Sequence, residues 1–263
     1  MKLNPVNKSG LHLLKIVALS LFMPLTVHAD NKPVKVTLIT DSNYKPYSYM
    51  ESGKLSGITV DLIKKVDEAL PHYDIQLQPM SWQDGLRKVR DGETLGIVGT
   101  YYSGPHRPWI YPYSQPLLSE QVVVICRPDV QLATPVLWPD SFAGLLVLNI
   151  AGYDGWLDFD IRNKRNTQLI NFLEVPSIST AYKMLKSSNA DCSLTEKAYV
   201  EMTIANETDK TEYIPKVVTD VSSNSVHLGF SFKAIESGKY PFAYEFARAF
   251  DIALYTVQNS KKQ

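Results

Sequence analysis

Between Ile97 and Leu117 the chain reads IVGTYYSGPHRPWIYPYSQPL, and its one arginine, Arg107, stands among Tyr101, Tyr102, Trp109, Tyr111 and Tyr113. A guanidinium presents its donors in a planar fork that fits a carboxylate two-on-two, and aromatic neighbours strengthen that contact by excluding water. The pattern points to a pocket for a small carboxylate. The competing reading is a solvated arginine on a loop whose tyrosines only pack. No Ser/His/Asp arrangement, metal-spaced His/Cys cluster or phosphate-cradling glycine loop supports another chemistry, so no cofactor and no metal is expected. His106, beside Arg107, is read as a rim residue.

The N-terminus bears on where such a pocket would work. Lys2, Lys8 and Lys15 carry positive charge with no acid before Asp30, Leu11 to Val27 is mostly apolar, and Val27-His28-Ala29 offers small residues for cleavage. This predicts a signal peptide over 1–29 and a periplasmic mature chain. Lys15 and Pro24 interrupt the apolar run, which falls short of the roughly 20 residues of a spanning helix. Removing 1–29 takes away three lysines and no acid, leaving a net charge of −3. That balance argues against nucleic acid or an anionic membrane as partner. Two cysteines remain, Cys126 and Cys192, which either pair in an oxidising compartment or lie as separate buried thiols.

The elements that must position Arg107 alternate between short apolar strands and amphipathic helices. Val34 to Thr40 reads as a buried strand, and GITVDLIKKVDEAL sets Leu62, Ile63, Val66 and Leu70 on one helical face. A strand at Ile75 to Met80, a helix at Gln83 to Arg90 and a strand at Leu95 to Thr100 complete a βαβαβ unit. The pattern then restarts, with strands at Gln121 to Cys126, Leu145 to Ile150, Leu169 to Glu174 and Asp191 to Thr195. Helices are expected at Ser179 to Leu185, from Glu196, and at Phe242 to Val257, with a late strand at Val226 to Phe232. The fold class is α/β: two mostly parallel sheets in two lobes, with a cleft where the carboxyl ends of their strands meet.

TDSNYKPYSYMESGKLSGITVDL, MSWQDGLRKVRDG, GTYYSGPHRPWIYPYSQPL, FAGLLVLNIAGYDG and NADCSLTE occur in this order over nearly the whole mature chain. In order and spacing they resemble family 3 of the bacterial extracellular solute-binding proteins, the periplasmic polar amino-acid-binding proteins of ABC transporters. The resemblance implies a type II periplasmic-binding-protein-like fold with lobe 1 over 30–118 and 234–263 and lobe 2 over 119–233. The chain would cross at Leu117 to Glu120 and return between Phe232 and Tyr240. It also implies that Cys126 and Cys192 lie on antiparallel neighbours and form a disulfide.

The resemblance further implies a set of ligand contacts. Tyr44 and Trp82 match the two aromatic walls of the slot, and Arg107 matches the grip on the ligand carboxylate. Thr100 and Tyr102 match contacts made at the amino or carboxylate end, often through backbone. Glu196 matches the acid that pairs with the ammonium. Asp41 is a candidate for a polar or cationic ligand side chain, or else a hydrogen-bond partner of the following turn. Asp154 falls where Ser or Thr commonly supports the carboxylate, and an anion there suits an ammonium better. The function implied is capture of a small carboxylate, an amino acid being the expected class, by lobe closure around a zwitterion for ABC-type uptake. The implied partner is an ABC permease or a membrane receptor, and the chain is expected to be a monomer and not an enzyme. Two other readings stay open: a dehydratase-like enzyme on a cyclic carboxylate, with Glu196 or Asp154 as general acid, and a sensing module without transport.

Overall fold

The computed structural model describes residues 1–2, 32–157, 169–206 and 216–260. The expected signal peptide therefore lies outside the described residues apart from its first two, and the fold is that of the unit from Pro33 onward. Strand β1 (Val34–Asp41) is followed by a small antiparallel sheet of β2 (Asn43–Tyr44), β3 (Ser48–Glu51) and β4 (Lys54–Ser56). Helix α1 (Ile58–Glu68) buries Thr59, Val60, Ile63 and Val66, the face that its apolar spacing marks out. After β5 (Tyr73–Met80), helix α2 (Trp82–Asp91) starts at Ser81, whose hydroxyl accepts from the Asp84 amide, and stops at Gly92 in the left-handed conformation. Strands β6 (Gly96–Tyr101), β7 (Ile110–Tyr113) and β8 (Leu118–Cys126) lead into the second half of the chain.

There β9 (Leu146–Ile150), β10 (Asn171–Val175), helix α3 (Ile178–Lys186), β11 (Cys192–Glu196) and helix α4 (Lys197–Asn206) follow in order. Strand β12 (Lys216–Ser231) is 16 residues long; helices α5 (Phe232–Glu236) and α6 (Ala243–Asn259) close the chain. The main strands form one sheet in the order β10-β9-β11-β8-β12-β6-β1-β5, with β7 beside β12. Its outer pairs, β1 with β5 and β6, and β9 with β10 and β11, are parallel. Its middle pairs, β8 with β11 and β12, and β12 with β6 and β7, are antiparallel. The two expected sheets are thus the ends of one, joined by an antiparallel centre.

Strand β12 runs from one half of the sheet to the other. Its first part pairs with β8 from Lys216 against Cys126 to Val226 against Leu118, and its last part pairs Val226–Phe230 with β6. Val218 and Val221 pack on one apolar cluster with Val123, Phe142, Leu148 and Leu194, whereas Val226, Leu228 and Phe230 belong to another with Leu38, Val66 and Phe246. The chain therefore passes between the clusters inside β12, around Ser222–Val226. A strand gives that passage continuous backbone pairing, which a surface loop would lack.

Cys126 and Cys192 are directly opposite each other on β8 and β11, with Cα atoms 4.0 Å apart, and are bonded. The bond closes a separation of 66 residues within the cluster that holds Val123, Phe142 and Leu194. In the chain-entropy account a loop of that length is worth about 4 kcal/mol. Chemical denaturation with and without reductant should show a loss of that order, and an unchanged midpoint would show that the bond adds nothing to the packed sheet.

Candidate functional site

The cleft lies beyond the carboxyl ends of the parallel strands β1, β6 and β9, where open α/β sheets place ligands. It encloses about 570 Å³ of atom-free space, part of it open to solvent. Asp41 ends β1, Tyr44 forms β2, and Trp82 is the first residue of α2. Arg107 sits in a turn after β6, held by backbone bonds from His106 and Arg107 to the Ser103 carbonyl. The opposing wall is the turn after β9, with Gly152, Tyr153 and Trp156.

Bonds cross the cleft between these walls. The Tyr153 hydroxyl donates to Asp41 Oδ2 at 2.6 Å. Trp82 Nε1 and Arg107 Nη2 both donate to the Gly152 carbonyl at 3.1 Å. Gly152 has φ +82, and a Cβ there would lie 3.0 Å from Gln83 Cγ, so the carbonyl is presented by a conformation and a clearance that suit glycine. Arg107 is 8 % exposed. Its other partner is Asp154 Oδ2 at 3.9 Å, and its guanidinium carbon lies 6.0 Å from the Trp82 ring. Burial lowers its pKa, the expected effect of taking a cation out of water.

Tyr44 and Trp82 both line the cleft, with Tyr44 edge-on to Tyr153 at 5.2 Å and Trp82 edge-on to it at 6.1 Å. Asp41 lines the cleft, and its Oδ1 accepts from the Asn43 amide at 2.8 Å, the turn contact that is the alternative reading. Asp154 is beside Arg107, its side chain 43 % exposed. Glu196 is 2 % exposed and outside the lining; its oxygens accept from the amides of Gln121, Ala198 and Tyr199 and from the Tyr47 hydroxyl. It caps α4, the structural role open to an acid at a helix start.

Thr100 and Tyr102 do not line the cleft; Gly99, Tyr101 and Ser103 do. Thr100 is fully buried with its hydroxyl on the Tyr101 carbonyl, and Tyr102 is 68 % exposed. The cause is a β-bulge. Leu228 pairs with Val98 and His227 with Thr100, which leaves Gly99 as the extra residue, at φ +99. One inserted residue flips every later side chain to the other face. Val98, which lines the cleft, would otherwise share its face with Thr100 and Tyr102.

The principal residue missed is Glu120, two residues into β8. It is 2 % exposed and lines the cleft, and its Oε2 accepts from the Tyr44 hydroxyl at 2.7 Å and the Tyr101 hydroxyl at 2.5 Å. Tyr101 in turn accepts from Trp156 Nε1 at 3.2 Å. Burial pushes the Glu120 carboxyl up to about 8, against the two phenol hydrogen bonds and with a small push from Glu196. The same desolvation raises Asp41 and Glu196. A period-two reading back from Val124 and Val122 sets Glu120 on their face of β8 and would have found it.

The pH consequence has a definite sign. Between its ordinary 4.5 and about 8, the folded protein holds the Glu120 proton more tightly than the unfolded chain does. Stability from this group is complete below that window and is lost as pH rises through it; the raised Asp41 and Glu196 act in the same direction. Denaturation of the ligand-free protein between about pH 5 and 9 should show falling stability, and Glu120→Gln should flatten much of the fall. An equal slope in the variant would show that Glu120 is ionised throughout.

Residues 36–226 match the family described as bacterial extracellular solute-binding proteins, family 3. The chain has no significant match among curated protein sequences. Among solved structures it resembles a protein from Listeria monocytogenes described as an L-cystine ABC transporter, at 17 % identity and TM-score 0.70 over 86 % of this chain and 91 % of that one. An ancestral arginine-binding protein bound to arginine aligns at 14 % identity and TM-score 0.69, over 86 % of this chain and 92 % of the other. An ancestral amino acid-binding protein, a precursor of cyclohexadienyl dehydratase, aligns at 14 % and 0.62, over 86 % and 89 %. At these identities the structures speak for the fold, which is that of type II periplasmic binding proteins. With the family match spanning most of its length, the chain belongs to family 3 of the bacterial extracellular solute-binding proteins.

Proposed function

We propose that this protein captures a small carboxylate, with an amino acid as the class, in the periplasm for ABC-type uptake. One observation carries the reading: Arg107 is a buried guanidinium lining an aromatic cleft, and its partners in the chain are a carbonyl and a carboxylate 3.9 Å away. A ligand carboxylate meeting the planar fork would gain two charge-assisted bonds in a site from which Trp82 and Tyr153 exclude water. The structural relatives are described as handling arginine, cystine and amino acids, which supports the class without choosing a member.

The mechanism is closure. Lobe 1 supplies Asp41, Tyr44, Trp82 and Arg107, and lobe 2 supplies the Gly152–Trp156 turn. The bonds from Tyr153 to Asp41 and from Trp82 to Gly152 are cross-cleft latches. A ligand that touches both walls binds the closed arrangement preferentially, and that differential affinity drives closure. The passages at the start of β8 and at Ser222–Val226 in β12 are the hinge. Scattering should show a smaller radius of gyration with a saturating amino acid than without it.

A second reading, dehydratase-like turnover of a cyclic carboxylate, is favoured by Glu120 alone: an acid pushed to about 8 beside an arginine pocket is suited to donate a proton near neutrality. Incubation with a cyclohexadienyl carboxylate separates the two, since a binder leaves it unchanged. For the carboxylate reading, Arg107→Lys should weaken binding of whichever amino acid or small carboxylate stabilises the protein in a thermal screen by about ten- to hundredfold, because an ammonium cannot reproduce the fork. The melting temperature should stay near that of the parent. Calorimetry giving parental affinity would show that Arg107 is not the carboxylate grip.

A further inference from the structure

We propose that Glu120 receives the cationic group of the ligand, so that the cleft takes an ammonium carboxylate held between Arg107 and Glu120. The inference rests on the carboxylate reading of Arg107 and adds the opposite pole. The family resemblance points to Glu196 for that role, but Glu196 lies outside the cleft lining, with both oxygens engaged by amides at the start of α4 and in β8. Asp41 lines the cleft, but its Oδ1 takes the Asn43 amide and its Oδ2 takes the Tyr153 hydroxyl. Glu120 differs from both. Its two hydrogen bonds, from Tyr44 and Tyr101, fall on Oε2, and neither reaches Oε1. A carboxylate offers about four lone-pair positions, so a buried acid of the cleft has acceptor capacity left for a donor brought by the ligand.

The groups acting on Glu120 leave its charge uncompensated. Tyr44 faces it from β2, Tyr101 from β6, and Glu196 from β11, and the phenols of Tyr47 and Tyr153 lie near it. None of these is a cation. A charged carboxylate buried among phenols and another acid is costly, and burial duly pushes Glu120 up to about 8. An ammonium placed against it reverses that balance, because an opposite charge within a few ångströms favours the ionised form. Binding then ionises Glu120, and its proton leaves to the buffer. A neutral or purely anionic ligand would release none, so the site discriminates by charge at two ends: Arg107 selects the carboxylate, and Glu120 selects the ammonium.

The test is calorimetry of the mature protein near pH 7 in phosphate and in Tris, whose ionisation heats differ. The probes are the proteinogenic L-amino acids with L-cystine, their deaminated acids, and their decarboxylated amines. The expected result is an amino acid that binds with release of close to one proton, and a deaminated counterpart at least about tenfold weaker. Glu120→Gln, which keeps an acceptor for both phenols, should abolish the release and weaken the amino acid by a similar factor. The wild-type buffer dependence needs no variant, so an absence of release overturns the role of Glu120 even if Glu120→Gln does not fold. Amino-acid binding with no proton release, or deaminated acids binding equally well, would overturn the role of Glu120 and leave Arg107 standing. Amines binding as tightly as amino acids with proton release would support Glu120 and overturn the carboxylate reading. Binding of none of the three sets would overturn both.

Discussion

The antiparallel pairing of Leu118–Cys126 with Lys216–Ser231 underlies the rest of the structure, because it joins two regions that each have an apolar cluster of their own. On one side of it lie the parallel pairs that end at Asp41 and Tyr101, and on the other those that end at the Gly152 turn. Each half alone would present an open wall. The shared strands set the walls opposite each other, and they also carry Glu120 into the cleft near the point of passage. The proposed hinge and the cleft thus share the first residues of β8, Glu120 among them.

Within the cleft the balance of charge follows from burial. Six aromatic residues, Tyr44, Tyr47, Trp82, Tyr101, Tyr153 and Trp156, make up much of the lining and remove water from whatever lies between them. In such surroundings a carboxyl keeps its proton unless a cation or several donors face it. Glu196 has its amide donors and belongs to the helix. Asp41 has a phenol and an amide and fastens the walls together. Glu120 has two phenols and no cation, which makes its charge dependent on what enters. Arg107 is the complementary case, a cation that retains its charge and, among the described residues, finds at hydrogen-bond distance only the neutral Gly152 carbonyl.

Much of this was legible in the sequence wherever one local pattern decides the outcome. Helix α1 announces itself by Ile63 and Val66 on one face, α2 by Ser81 and Gly92 at its ends, and the buried strands by runs such as LLVLNI. Arg107 stands out because a fork among aromatic residues is unusual, whereas Tyr44 and Trp82 are reached only through the family resemblance. The rest depends on pairing across distant strands. The first half of β12, KVVTDVSSNS, has little alternation of its own and is a strand only because β8 runs beside it. The Gly99 bulge becomes visible only in register with His227 and Leu228, and it decides that Tyr101 faces the cleft and Thr100 does not. An acid before a helix, such as Glu196, fits a ligand contact or a cap equally well in the sequence, and its amide contacts appear only in the folded chain.

Recognition thus turns on Glu120 being a neutral acid in the ligand-free cleft and a carboxylate once an ammonium ligand is seated. Carbon-13 NMR of side-chain carboxyls, with Glu120 assigned through Glu120→Gln, reads that state directly. A neutral-acid resonance near pH 7 is predicted, titrating at about 8 without ligand and moving to the carboxylate position when an amino acid binds. A Glu120 resonance already at the carboxylate position near pH 7, unchanged by a bound amino acid, would contradict it.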